Sequence, residues 1–282
     1  MTEIPKEIIR ELKYRLTLQV KTLDRIILCG GIPMGLITKQ DGDLPDDYFY
    51  FCLTKATRSM SAVRTLYKER FYEDAYCIIR SIYENYPSIR FMLNTNDENW
   101  VNYLIKYPVG LYFGIYKFNE NKKGKINYRE VIDTRTNSKK EFKSLGPGFK
   151  SKNTGLDLDA EIHKQLYPFL CEHTHPAIVT HGHYLDYEQG FPEYNASPSK
   201  QKEYPKVLFL ANYLSNLLLL EAAKYEDLDP PEFDSVKRQI KGSHKIIDNY
   251  ISNIKSDKFH KNILSRMKIS MSEFEKEESM YN

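Results

Sequence analysis

Arg80 and Glu84 stand four residues apart in YCIIRSIYEN (Tyr76–Asn85), so on a helix a guanidinium and a carboxylate would share one face. Most such pairs are open to solvent and contribute only about 0.3–0.5 kcal/mol. Here Tyr76 and Tyr83 flank the arginine one turn to either side, which predicts shielding from water. A shielded guanidinium needs a partner, and Glu84 together with a histidine or a phosphate would serve. Five of the seven histidines fall between His163 and His183, in HKQLYPFLCEHTHPAIVTHGH. Imidazole suits zinc and iron, and Asp186 and Glu188 would add carboxylates. Against a metal centre, the chain has no HExxH and no paired cysteines, and its H-x-H spacing suits sheet ligands better than helix ligands. The expectation is a helix end whose histidines bond to backbone and carboxylates, with no cofactor.

The elements that must position these groups are helical. From Thr54 to Leu93 two amphipathic runs meet at a short charged corner. Leu53, Ala56, Met60, Val63 and Tyr67 line one face, and Ala75, Ile78, Ile79, Ile82, Tyr86 and Leu93 line the other. An antiparallel pair is expected, with a kink or break at Pro87. Before it, Ile9, Leu12, Leu16, Val20, Leu23 and Ile27 predict a long helix stopped by Gly30-Gly31 and Pro33, and Asp46-Asp47 is expected to cap a helix from Tyr48. Trp100–Phe118 is tyrosine-rich and predicted helical, broken at Pro108 and Gly110; its aromatics are expected to be core. Helical period resumes at Leu158, and helices are expected from Lys206 to Tyr225 and from Phe233 to Ile254. The acidic tail from Met271 is expected to fray.

Residues 119–157 differ in character. This stretch is basic and polar, and lacks a helical stripe. Ile126, Tyr128, Val131 and Ile132 suit a short strand or hairpin, and the GPG at 146–148 marks a turn. A solvated insertion or mobile arm is one reading; an arm contacting RNA phosphates is the sharper one. The predicted architecture is all-α: residues 1–282 as a single helical domain, about seven to nine helices, with a basic, partly irregular insertion at 119–157.

A hydrophobic fraction of 41% and a charged fraction of 28% suit a soluble globular chain, and a net charge of +3 is too small to predict nucleic-acid binding by itself. The run from Val207, VLFLANYLSNLLLLEAA, is interrupted by Asn212, Ser215, Asn216 and Glu221 and falls short of the roughly 20 apolar residues of a span, so no membrane association is expected. Four scattered cysteines and an N-terminus charged from its third residue predict reduced thiols in the cytoplasm.

The run LYKERFYEDAYCIIRSIYEN (Leu66–Asn85), with CEHTHP (Cys171–Pro176) about ninety residues later, resembles a bacterial all-helical family of unknown function. Its members share a helix reading roughly A…LLRS-x-x-E and a later S-x-x-x-HP. The residues matched are Arg80, Ser81, Glu84, His175 and Pro176, over about half the chain. More distantly, the chain is similar to the HEPN ribonucleases, helical toxins and phage-defence effectors that place an Arg and a His (R-x(4–6)-H) at a dimer groove. The contiguous form occurs once, from Arg238 to His244 in RQIKGSH, with Gln239 where those proteins favour Asn, Asp or His. The split pair Arg80 and His175 is preferred. That resemblance implies RNA cleavage without metal: Arg80 gripping phosphate, Glu84 orienting Arg80, and His175 or His173 as acid/base. Two alternatives stay open. One is a non-catalytic helical module for a protein partner, a second copy or a small ligand; the other is a metal-dependent hydrolase at the histidine cluster.

Overall fold

The computed structural model describes residues 4–120, 123–175, 180, 184–186, 193–194, 196–199, 204–226, 228 and 230–281. The chain is predominantly α-helical. Helix α1 (Lys6–Gly30) buries Ile9, Leu12, Leu16, Val20 and Leu23 and ends at the glycine pair. A short α2 (Gly35–Thr38) leads into α3 (Leu44–Lys68) and α4 (Tyr72–Asn94). The last two pack together across the Glu69–Phe71 turn.

Helix α8 (Pro205–Tyr225) organises the interior. Apolar around its whole circumference, it has no face to offer water, and every residue from Val207 to Ala223 is buried. It packs against α1, α3, α4, α9 (Pro230–Ser252) and α10 (Lys258–Tyr281). By length and mean hydropathy, 1.2, it matches a membrane span, yet 94% of that window lies inside the protein. Two of its polar residues reach across the bundle: Asn212 donates to the Leu12 carbonyl at 2.9 Å, and Glu221 pairs with Arg90 at 3.1 Å.

After Tyr112, where the preceding helix ends, comes an antiparallel sheet, β1 (Tyr116–Glu120), β2 (Ile126–Asp133) and β3 (Lys139–Glu141) in that order, with a bulge after Phe118. The strand expected through Ile126, Tyr128, Val131 and Ile132 is β2, paired on both sides. The sheet's own small core joins Val131 to Tyr103 and Tyr107, flanked by Phe118 and Phe142, which is why no helical stripe is needed. After it come α6 (Pro147–Lys152) and α7 (Asp157–Thr174); a two-stranded ribbon, β4 (Leu185–Asp186) with β5 (Glu193–Tyr194), precedes α8.

Several expectations need correction. Pro87 does not break α4, which continues to Asn94. Around the proline, side chains add donors to the helix: Asn85 Nδ2 donates to the Ser81 carbonyl (2.6 Å) and Ser88 Oγ to that of Glu84 (2.7 Å). Pro108 and Gly110 do not break their segment either. A π-turn at Asn102–Lys106 absorbs the proline's missing donor, and α5 (Tyr107–Tyr112) follows. Gly110 is required for packing, because a Cβ there would lie 2.3 Å from the Tyr116 ring. Leu93 is 39% exposed, outside the core face. Helix α3 begins at Leu44, and Asp47 instead holds α2, accepting the Met34 and Leu36 N–H groups at 2.9 and 2.8 Å. The acidic tail is helical to Tyr281; Phe274 is buried and Glu273 pairs with Lys224 at 2.7 Å.

Candidate functional site

Helix α4 supplies Arg80 and Glu84, and α7, packed across it, supplies Tyr167 and delivers His175 one residue beyond its end. Arg80 Nε donates to Glu84 Oε1 at 3.0 Å, and Nη2 donates to the Tyr167 hydroxyl at 3.0 Å. Tyr167 closes the ring by donating to Glu84 Oε1 at 3.3 Å. The guanidinium also lies 5.2 Å from the Tyr167 ring centroid, within cation–π range. With Nε and Nη2 held, Nη1 is aimed at His175 Nε2, 3.4 Å away. A guanidinium only donates, so the imidazole accepts at Nε2 and carries its proton on Nδ1.

The four side chains grade from sheltered to open. Arg80 retains 21% and Glu84 31% of side-chain exposure, and His175 is exposed. Burial opposes the Arg80 charge, but the hydrogen bonds to Glu84 and Tyr167 outweigh it and hold Arg80 above its ordinary pKa. Burial also raises the Tyr167 phenol; Arg80 opposes this and Glu84 reinforces it. Tyr167 therefore stays a proton carrier at neutral pH.

The end of α7 is fixed from α4. Cys77, one turn before Arg80, donates its thiol hydrogen to the His173 carbonyl at 2.8 Å, and burial, then Asp74, raises the thiol above its ordinary pKa. The four cysteines are free thiols. At the other end of the same face, His163 Nδ1 lies 2.9 Å from the Tyr83 hydroxyl, and its ring stacks on Tyr167 at 4.8 Å. Burial, aided by Lys152, lowers the His163 pKa.

Arg80 and Glu84 pair as their spacing predicted, and His175, singled out by the resemblance, approaches Arg80; His173 does not join them. Its ring packs against Tyr76 (4.5 Å) and Phe169 (4.9 Å), and what it brings to the group is its backbone carbonyl. Sequence reading missed Tyr167 and Cys77. The signal for Tyr167 was there: His163, Tyr167 and Cys171 recur every four residues and so form one stripe of α7. His181 and His183 lie outside the described residues, as does the Asp186 side chain and Glu188; among the described residues, no three His, Cys, Asp or Glu side chains converge as a metal site. Arg238 and His244 both fall on α9, but Arg238 turns back to the Asp234 carbonyl at 3.3 Å while His244 is half-buried. Gly242 between them leaves room for the Arg15 guanidinium, 2.3 Å from where a Cβ would stand.

The fold and this group define a predominantly helical protein carrying an Arg–Glu–Tyr–His cluster where two packed helices reach the surface. Residues 46–192 match the model of a family of unknown function, DUF5677; the match spans just over half of the chain, which belongs to that family. It includes all four residues of the cluster and both helices that carry them. Searches among curated proteins and among solved structures return no match.

Proposed function

We propose that the protein is a metal-independent, ribonuclease-type effector, resembling the HEPN enzymes in chemistry, with a role in prokaryotic toxicity or phage defence. The observation that carries this reading is the 3.4 Å approach of Arg80 Nη1 to His175 Nε2, ninety-five positions apart in the chain, with the rest of the guanidinium already held. A positioned cation beside a solvent-open imidazole is the pair such a cleavage needs. As the Arg80 Nη1–H turns from His175 to the phosphate oxygens, whose building charge it stabilises, the freed His175 Nε2 accepts the 2′-OH proton and the 2′-oxygen attacks phosphorus. The P–O5′ bond breaks, the proton taken up by His175 passes to the departing 5′-oxygen, and a 2′,3′-cyclic phosphate remains. Glu84 and Tyr167 position Arg80.

Charge distribution supports an RNA partner. Residues 117–152 hold eleven Lys and Arg against four Asp and Glu, so the rest of the chain is net acidic and positive charge is concentrated on the sheet and α6. Tyr128 is 64% exposed on β2 and offers a ring on which a base can stack. The test is end-group analysis of an RNA oligonucleotide incubated with the purified chain in EDTA. The expected product carries 2′,3′-cyclic phosphate and 5′-hydroxyl ends. Cleavage that stops in EDTA and returns with zinc overturns the reading in favour of a metal-dependent hydrolase.

A specific observation also favours a non-catalytic module. Two of the three guanidinium nitrogens are satisfied internally, by Glu84 and Tyr167, as in a polar network that fixes helix packing.

A further inference from the structure

We propose that a second site, the cleft between residues 31–36 and α3, binds a small amphiphilic anion: an aliphatic body with one carboxylate or phosphate head. The cleft encloses about 520 Å³, within the range of small-ligand sites, and shares no lining residue with the Arg80 group. Its two ends differ in chemistry. Pro33, Leu36 and Phe51 form an apolar end, with Leu36 53% and Phe51 59% exposed. Beside Pro33 and Leu36 in the chain, Ile32 and Ile37 are 66% and 70% exposed.

The other end is cationic. Lys55 and Arg58 follow Phe51 at helical spacing, so all three share one face of α3. Neither cation has an ion-pair partner among the described residues. Asp47 also lies on the lining, but both its oxygens are used to hold the Met34 and Leu36 N–H groups. That carboxylate therefore fixes the apolar wall instead of neutralising the cations. An aliphatic chain can cover the exposed Leu36 and Phe51 while its head meets Lys55 and Arg58, each end satisfying what the protein leaves open. A neutral lipid would leave the cations unmatched, and a compact hydrophilic anion would leave the apolar end wet.

Titration calorimetry of the full chain with dodecanoate, dodecyl phosphate and dodecanol, each below its aggregation concentration, tests this. The expected result is saturable one-to-one binding of one or both anions, weaker binding of dodecanol, and about tenfold or greater weakening in Arg58→Glu and Leu36→Asp. The preferred anion identifies the head group. Lys55, Arg58 and Leu36 are exposed, so these variants should melt like the wild type and cleave RNA equally well, which separates this site from the Arg80 cluster. Absence of saturable binding by both anions, or equal binding in Arg58→Glu, overturns the proposal. A monomer–dimer equilibrium abolished by Leu36→Asp without any anion binding also overturns it, and assigns the face to a second copy.

Discussion

Cys77 and His173, ninety-six positions apart, are joined by a thiol-to-carbonyl hydrogen bond of 2.8 Å. The contact fixes the last turn of α7 to α4 one turn before Arg80, and so sets where the following residue pair, Thr174 and His175, leaves the helix. Removing it should loosen the geometry of the group more than the fold.

Cys77→Ala is expected to lower global stability by only about 1 kcal/mol, the net worth of one hydrogen bond, while reducing RNA cleavage through misplacement of His175. Cys77→Ser keeps a donor and should retain most of the activity. Urea unfolding and initial cleavage rates on the same three proteins check this. Equal activity in Ala and Ser variants would mean the thiol has no positioning role.

The stability of the bundle should depend far more on its buried ion pairs. Arg266 is fully buried against Asp159, 2.8 Å away, with Tyr86 bonded to both. Asp159→Ala strands a guanidinium in the core and is expected to cost about 3–5 kcal/mol, read as a drop in denaturation midpoint. A double change to apolar residues of similar volume should recover much of that loss.

The small sheet rests on the contact between Gly110 and Tyr116. Gly110→Ala should destabilise it by about 1–3 kcal/mol through overpacking and make residues 116–141 the first site of limited proteolysis. Adding Tyr116→Ala should relieve the crowding and restore protection. A sheet equally resistant in Gly110→Ala would show that the Tyr116 ring moves aside freely.

Burial lowers the pKa of both His163 and His244 in the folded protein, against an ordinary value of 6.5. Between the folded and unfolded values the unfolded chain binds more protons, so stability there rises with pH. The contribution is complete above about pH 6.5 and is lost as pH falls through that value toward the folded pKa values. Unfolding free energy measured across this window should slope upward with pH, and His163→Gln with His244→Gln should flatten it.

The fold was largely legible because its helices announce themselves locally. Ile9 to Leu23 on α1 and Leu53 to Tyr67 on α3 repeat at helical spacing and are buried where that spacing placed them. The stripe on α4 overran by one residue, since Leu93 belongs to the solvent side of the last turn. What the sequence left hidden is pairing at long range. Arg90, Glu221, Asp159 and Arg266 each look like an ordinary charge interrupting an apolar run, and only the packing of α4 and α7 against α8 and α10 shows that they satisfy one another. Of the sheet, only β2 was legible, through Ile126, Tyr128, Val131 and Ile132; its packing stayed hidden because its apolar contacts reach back to Tyr103 and Tyr107, outside the segment itself. At the site, types and spacing pointed to Arg80 and Glu84, and the resemblance to His175, but His173 has the same side-chain chemistry as His175. Its exclusion rests on the turn of α7 that packs it against Tyr76 and Phe169.

The most direct test pairs activity with stability in Arg80→Ala and His175→Ala. Because Glu84 is part-exposed and keeps its bond from Tyr167, losing Arg80 should cost only about 1 kcal/mol of folding stability, and losing the exposed His175 less. Cleavage of RNA should nonetheless fall about 10²–10⁴-fold in each variant. Native-like melting with lost activity in both variants is the predicted result. Undiminished cleavage in either variant, or a wild-type protein that leaves RNA intact, contradicts the account.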